Sequence, residues 1–254
     1  PQNSDDIFVN IHDINNVKAS EIAKIKEIIY KYNSCIYSSK TALKSNTNLL
    51  KFVELVGMKT YDCNNIESNE ISTITPLQNS KINYIPYTDK PLNWHTDGYY
   101  DKKSIFSWLL HCVNPATQGG ENYLLGHELV LREYLLRNDD INNLMAEDAL
   151  TIPASKDTSR PEISTYIFSF KNKYRRLHMR FSMRKDNIGT SAKASPAIIK
   201  LKEIIENDCA KYSLTYKLQK NEGIITNNIL HGRKAFKDDK VKRKLLRIRS
   251  YERL

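Results

Sequence analysis

Ile22, Ile25, Ile28, Ile29 and Tyr32 recur at intervals of three and four, which predicts an amphipathic helix over Glu21 to Tyr32 behind Ser20 as N-cap. The same spacing over Asn48 to Val56, with Gly57 where a C′ glycine belongs, predicts a second. Ser195-Pro196 opens a third, whose apolar stripe is Ile198, Ile199, Leu201, Ile204, Ile205 and Cys209, and a shorter helix covers His127 to Arg137. Between them lie short β-type runs at Ile82 to Tyr87, Ser104 to Val113, Thr165 to Phe170, Arg176 to Arg184, Leu214 to Leu218, Ile224 to Asn228 and Leu245 to Arg249. Many short strands with a few helices outside them predict a mainly β fold, a sandwich or barrel with flanking helices. No repeat or low-complexity linker divides the 254 residues, so 1–254 reads as a single domain.

Composition narrows the class. The longest apolar runs are only a few residues, which argues against a membrane span, and the polar, acidic start shows no signal-peptide pattern, so a cytoplasmic protein is expected. Four cysteines (Cys35, Cys63, Cys112, Cys209) form no C-x-x-C pair and read as buried free thiols. The net charge of +10 first suggests nucleic acid, but it is segregated: 171–185 and 233–249 together carry +14, leaving the rest at −4. A face that basic suits an acidic small molecule equally well.

Trp94-His95-Thr96-Asp97-Gly98 carries the candidate chemistry. On an extended strand His95 and Asp97 project from one face, so an imidazole and a carboxylate converge on one point. His-x-Asp alone is a weak signal and needs a second, distant histidine. His231 in Ile229-Leu230-His231-Gly232-Arg233 meets that need, delivered by a β-run and followed by a glycine where the backbone must bend. Two histidines and one carboxylate on one side of a metal form the facial triad of non-haem iron(II) oxygenases. His12, His111, His127 and His178 do not reproduce the pattern and read as structural. The open side of such a metal takes a bidentate co-substrate whose far carboxylate needs an anchor. Arg243 and Arg247, 12 and 16 residues after His231, offer guanidinium forks for carboxylates. On a last strand Arg243, Leu245, Arg247 and Arg249 share one face unless a bulge intervenes.

These residues resemble the taurine-dioxygenase-like, or clavaminate-synthase-like, iron(II)/2-oxoglutarate dioxygenases over most of the chain. LLKFVELVG (49–57) is similar to the family's helix before its core, and WHTDGY (94–99) to its first metal motif. NPATQGGEN (114–122) is similar to its paired-glycine segment, and ILHGRKAF (229–236) with RKLLR (243–247) to its distal histidine and arginine motifs. The resemblance implies a double-stranded β-helix, a jelly-roll core of two sheets. It implies iron(II) bound by His95, Asp97 and His231, the distal carboxylate of 2-oxoglutarate held by Arg243, and Arg247 facing the primary substrate. Where the family usually has Thr beside that arginine, this chain has Asn122, whose amide can still donate.

The implied reaction couples decarboxylation of 2-oxoglutarate to oxidation, most simply hydroxylation, of a small anionic or amino-acid-like substrate, with dioxygen consumed and succinate and carbon dioxide released. The run Arg176 to Arg184 sets Arg176, His178, Arg180, Ser182 and Arg184 against Leu177, Met179, Phe181 and Met183. Its basic side is either a solvated face or the lining of the active-site mouth. Arg180 and Trp94 therefore join Arg247 as candidate substrate contacts. No membrane partner and no nucleic-acid motif are seen, and self-association stays open. A nucleic-acid-binding or catalytically silent module on the same fold is the alternative reading.

Overall fold

The computed structural model describes residues 3–63, 69–77, 85–137, 140–155, 160–184 and 188–254. In chain order, the elements that position the site are β1 (Phe8–Ile11), α1 (Ala19–Tyr32), β2 (Ser34–Ser39), α2 (Asn46–Val56), β3 (Ser72–Ile74), β4 (Leu92–His95) and β5 (Ser107–Asn114). They continue with β6 (Asn122–Leu125), α3 (His127–Leu135), α4 (Ser195–Glu203), β7 (Leu214–Tyr216), β8 (Glu222–Thr226), β9 (Leu230–Arg233) and β10 (Lys244–Ser250).

Two sheets face each other as a jelly roll. The larger runs β1-β2-β8-β5-β10-β3 and the smaller β7-β6-β9-β4. All pairings are antiparallel except that of β1 with β2. Trp108, Leu110, Leu124, Ile224, Ile229 and Leu245 fill the space between the sheets. On the outer face of the larger sheet, Ile25 and Ile29 of α1 and Phe52 and Val53 of α2 pack on Leu109, Ile225, Leu246 and Ile248. Alternate residues of β5, β8 and β10 thus serve two cores, which is why these strands are buried throughout most of their length.

Helix starts fall a residue or two ahead of the expected ones in α1, α2 and α4. α1 begins before Ser20, and Glu21 closes it by accepting the Lys18 backbone N–H at 2.9 Å. Ser45 caps α2 through the Asn48 N–H, and Gly57 ends it as expected. The stripe of α4 continues through a π-helical turn, Ile204–Cys209, which keeps Cys209 buried while Ile199 faces out. Cys63 is exposed, unlike the other three cysteines. Of the run at Ile82 to Tyr87, Ile85–Tyr87 form a 3₁₀ turn and 82–84 lie outside the described residues. Among the described residues no helix is long and apolar enough to cross a membrane.

The run Arg176 to Arg184 differs most from expectation. Only His178–Met179 forms a regular ladder, and Ser182 bridges to His95. Between Leu177 and Ser182 both sides are covered. Leu177, Met179 and Phe181 enter an apolar core with Ile167, Leu201 and Leu230. On the other side His178 bonds the Ile105 carbonyl and the Tyr166 hydroxyl, while Arg180 donates to Ser104 Oγ at 3.0 Å. His178, Arg180 and Ser182 are buried, so the middle of this side is not a solvated face, while Arg176 at its start is exposed and Arg184 at its end half-buried.

Candidate active site

β4 and β9 are neighbours in the smaller sheet, and His95 stands directly opposite His231 in their register. Directly opposed residues in an antiparallel pair project to the same side, so residues 136 positions apart share one face. Their ring centroids lie 4.2 Å apart. Gly232 lies within β9, where the pairing with β4 shifts register between His231 and Arg233, and a Cβ there would strike the Tyr123 ring at 2.2 Å, so the glycine lets that ring cross the back of the strand.

Asp97 is not on the strand. β4 ends at His95, and Asp97 opens a turn that returns through Gly98. Its Oδ1 lies 3.6 Å from Nε2 of both His95 and His231, and the three ligand atoms are within 4.8 Å of one another. Both histidines use their other nitrogen identically. His95 Nδ1 meets the Asn93 carbonyl and His231 Nδ1 the Ile229 carbonyl, each at 2.9 Å. A carbonyl only accepts, so the protons sit on Nδ1 and the Nε2 lone pairs turn toward Asp97, as metal ligands require. Burial, and then the neighbouring His231, push the His95 imidazole below its usual value and favour its neutral form. For Asp97 burial alone would raise the carboxyl, but the Arg247 charge beside it leads the opposing causes, and the group is held well below the usual carboxylate range. Two imidazoles and one carboxylate on one side of a point suit an iron(II) ion with open positions opposite.

The cavity beside this cluster lies between the sheets, with Arg243, Arg247 and Asn122 in its wall together with Trp108. Arg243 is buried and makes no ion pair among the described residues; its guanidinium lies 5.0 Å from the Phe236 ring. Burial lowers it to about 10, against the pull of Cys112 and Asp238, so it remains a cation at neutral pH. Asn122 Nδ2 is buried without a hydrogen-bond partner. A charge-bearing fork and a vacant donor in one wall suit a carboxylate.

A family model described as taurine catabolism dioxygenase TauD, TfdA family matches residues 5–249. The chain belongs to the TauD/TfdA family. It is accordingly a non-haem oxygenase that uses iron(II) and 2-oxoglutarate. Among solved structures, asparagine oxygenase in complex with Fe(II), 2S,3S-3-hydroxyasparagine and succinate is 12% identical, with a TM-score of 0.67 over 96% of this chain and 93% of that one. The non-haem iron oxygenase OrfP, solved with Fe, succinate and (3S)-hydroxy-L-Arg, is 12% identical, with a TM-score of 0.68 over 91% and 79%. A taurine dioxygenase from Burkholderia xenovorans is 15% identical, with a TM-score of 0.66 over 96% and 87%. At these identities the likeness is one of fold. No curated protein matches the sequence.

Within this TauD/TfdA fold, the substrate contacts expected from sequence are placed unevenly. Arg247 lines the cavity, but its Nη1 stands 3.6 Å from Asp97 Oδ2. Trp94 is on the opposite side of β4 from His95 and packs edge-on against Tyr123, with centroids 4.4 Å apart, outside the cavity wall. Arg180 is also outside the cavity wall, donating to Ser104 Oγ and the Lys102 carbonyl. Beyond it Arg249 pairs with Asp62, stands 3.6 Å from Asp101 and donates to the Tyr100 hydroxyl. Burial raises Asp101 to about 6, against the Arg249 charge. Two contributors escaped the sequence reading. Arg233 reaches the Pro86, Thr88 and Lys90 carbonyls and fastens the segment leading into β4. Asn228 bonds the Asp97 backbone. Arg233 follows His231 by two residues and was within reach of pattern reading; Asn228 carried no signal beyond a turn-forming Asn-Asn pair.

Proposed function

We propose that the protein oxidises, most simply hydroxylates, a small amino-acid-like or anionic substrate, with His95, Asp97 and His231 holding the iron and Arg243 with Asn122 holding the distal carboxylate of 2-oxoglutarate. The observation that carries this reading is the convergence of two Nε2 atoms and Asp97 Oδ1 at the edge of a cavity whose wall holds the buried Arg243 cation and the vacant Asn122 donor. Bound iron(II) and 2-oxoglutarate supply dioxygen activation coupled to decarboxylation, releasing succinate and carbon dioxide.

The chain's own residues orient and enclose. The Nδ1–H groups of His95 and His231 stay on backbone carbonyls, which fixes both rings. Asp97 offers Oδ1 to the imidazoles while Arg247 occupies the Oδ2 side, so the carboxylate presents one oxygen. Leu92, Leu110, Leu245 and Ile74 form the apolar part of the wall and exclude water. An amino-acid substrate is supported by asparagine oxygenase and OrfP, whose structures hold a hydroxyasparagine and a hydroxyarginine. The reading takes 1–254 as one catalytic unit because β1 and β10, from opposite ends of the chain, join one sheet.

Anaerobic titration with iron(II) and 2-oxoglutarate, followed by a screen of amino acids and small acids for substrate-stimulated succinate, tests the proposal. A visible charge-transfer band that His95→Ala, Asp97→Ala and His231→Ala each abolish is the expected result. An undiminished band in all three variants sinks the ligand assignment, and succinate that no amino acid or small acid stimulates sinks the substrate class.

A further inference from the structure

Asp97 has no strand partner, because β4 stops two residues before it, yet its backbone is held at both ends by one side chain. The Asp97 N–H donates to Asn228 Oδ1 at 2.8 Å, and Asn228 Nδ2 donates to the Asp97 carbonyl at 2.9 Å. The second hydrogen of Nδ2 goes to the Ile105 carbonyl at 2.7 Å. All three bonds are satisfied with only one orientation of the amide, and an amide is the side-chain group that offers an acceptor and two donors together. It takes the place of the peptide that a neighbouring strand would have supplied.

Asn228 sits in the turn 227–229 between β8 and β9, in the left-handed region at φ 52°, which asparagine tolerates better than most residues. The next residue, Ile229, provides the carbonyl that orients the His231 imidazole. One three-residue turn therefore holds the backbone of one proposed ligand and the ring of another. We infer that Asn228 is a positioning residue that sets the separation of Asp97 from His231 and so the metal affinity of the site. The inference rests on the ligand assignment made above.

Asn227 provides a matched control. It makes the same two-point contact with a different target: Leu254 N–H donates to its Oδ1 at 2.7 Å, and its Nδ2 donates to the Leu254 carbonyl at 3.0 Å. Loss of that contact should affect folding stability without reaching Asp97.

The test compares Asn228→Gly, which keeps the left-handed backbone without strain, with Asn227→Ala and Asp97→Ala. Iron(II) affinity is measured anaerobically by competition with a chelating dye, and amide hydrogen exchange at Asp97 is followed in the metal-free protein. Asn228→Gly is expected to weaken iron(II) by about 10- to 100-fold, the usual effect of losing a group that orients a ligand, and to speed exchange at Asp97 by a similar factor. Asn227→Ala is expected to lower the melting temperature with iron(II) affinity within about twofold of the parent. If Asn228→Gly lowers the melting temperature but leaves iron(II) affinity and Asp97 exchange unchanged while Asp97→Ala loses the metal, the positioning role is overturned and the ligand assignment stands. If Asp97→Ala binds iron(II) like the parent, the ligand assignment fails and the inference falls with it.

Discussion

Arg247 Nη1 lies 3.6 Å from Asp97 Oδ2, on the side of the carboxylate away from the two histidines. The contact separates the two oxygens: one faces the imidazoles and the other faces a buried cation. A carboxylate free to offer both oxygens would fill a coordination position that the co-substrate needs. Arg247→Ala is therefore expected to retain iron(II) but to weaken and shift the charge-transfer band formed with 2-oxoglutarate, even with no primary substrate present. Absorption spectra under anaerobic conditions decide it. A normal band together with a collapse only of substrate-stimulated succinate would return Arg247 to the substrate-binding role suggested by sequence.

Arg243 and Asn122 should govern the co-substrate instead. Losing a charge-assisted bidentate contact costs about 1.5 to 3 kcal/mol, or roughly 10- to 100-fold in affinity. Arg243→Ala is expected to raise the dissociation constant for 2-oxoglutarate by that factor with iron(II) binding near that of the parent. Asn122→Ala removes one neutral donor and is expected to cost about 1 kcal/mol, roughly fivefold, whereas Asn122→Thr should restore binding. Calorimetric titration of the iron-loaded protein checks both; equal affinities for parent and Arg243→Ala would move the anchor elsewhere in the wall.

The residues legible in the sequence were those whose meaning is local. His95, Asp97 and His231 stood out by residue type, and the alternation around Leu245 put Arg243 and Arg247 on one side; Arg243 comes just before β10 and Arg247 within it, and both line the cavity. The extra residue that β5 carries opposite Lys244 and Leu245 does not turn Arg243 away. What stayed hidden depends on pairing over long separations. β1 and β2 are short, with serine and asparagine among their apolar residues, and become strands only by pairing, β2 with the distant β8 and β1 with β2. The 176–184 run showed clean alternation, but the second layer that covers its basic side comes from Ile105 and Tyr166, which no periodicity announces. Arg247 read as a free fork because its partner lies 150 positions upstream.

Gly98 follows Asp97 at φ 64°, where a Cβ would meet Ile105 Cγ1 at 2.4 Å and Asp101 Oδ2 at 2.8 Å. A non-glycine residue there carries both backbone strain of about 1 to 3 kcal/mol and a clash in a packed turn. Gly98→Ala is expected to lower the chemical-denaturation midpoint by a corresponding amount and to weaken iron(II) binding, since the turn displaced is the one that presents Asp97. A variant as stable as the parent, with unchanged metal affinity, would show that the turn relaxes without moving the carboxylate.

Two histidines outside the site predict how stability responds to acid. Burial lowers His178 to about 3 and His111 to about 4, from an unfolded value near 6.5. The folded state therefore refuses a proton that the unfolded chain accepts. Stability is full above pH 6.5 and declines as pH falls toward each folded value, by on the order of 2 to 3 kcal/mol per histidine at pH 4. Asp101 acts in the opposite sense, because its raised value near 6 lets the folded state take a proton first over part of the same window. Comparison of parent with His178→Gln cancels that term and every other shared carboxylate. The variant gives up one of the bonds to Tyr166 and Ile105 and is expected to be less stable at pH 8. Between pH 6.5 and 4, however, its urea midpoint should fall less steeply than that of the parent, so that the two curves converge. Parallel curves across that window would mean that His178 takes up its proton in the folded protein without penalty, and that its buried bonds to Tyr166 and Ile105 survive protonation.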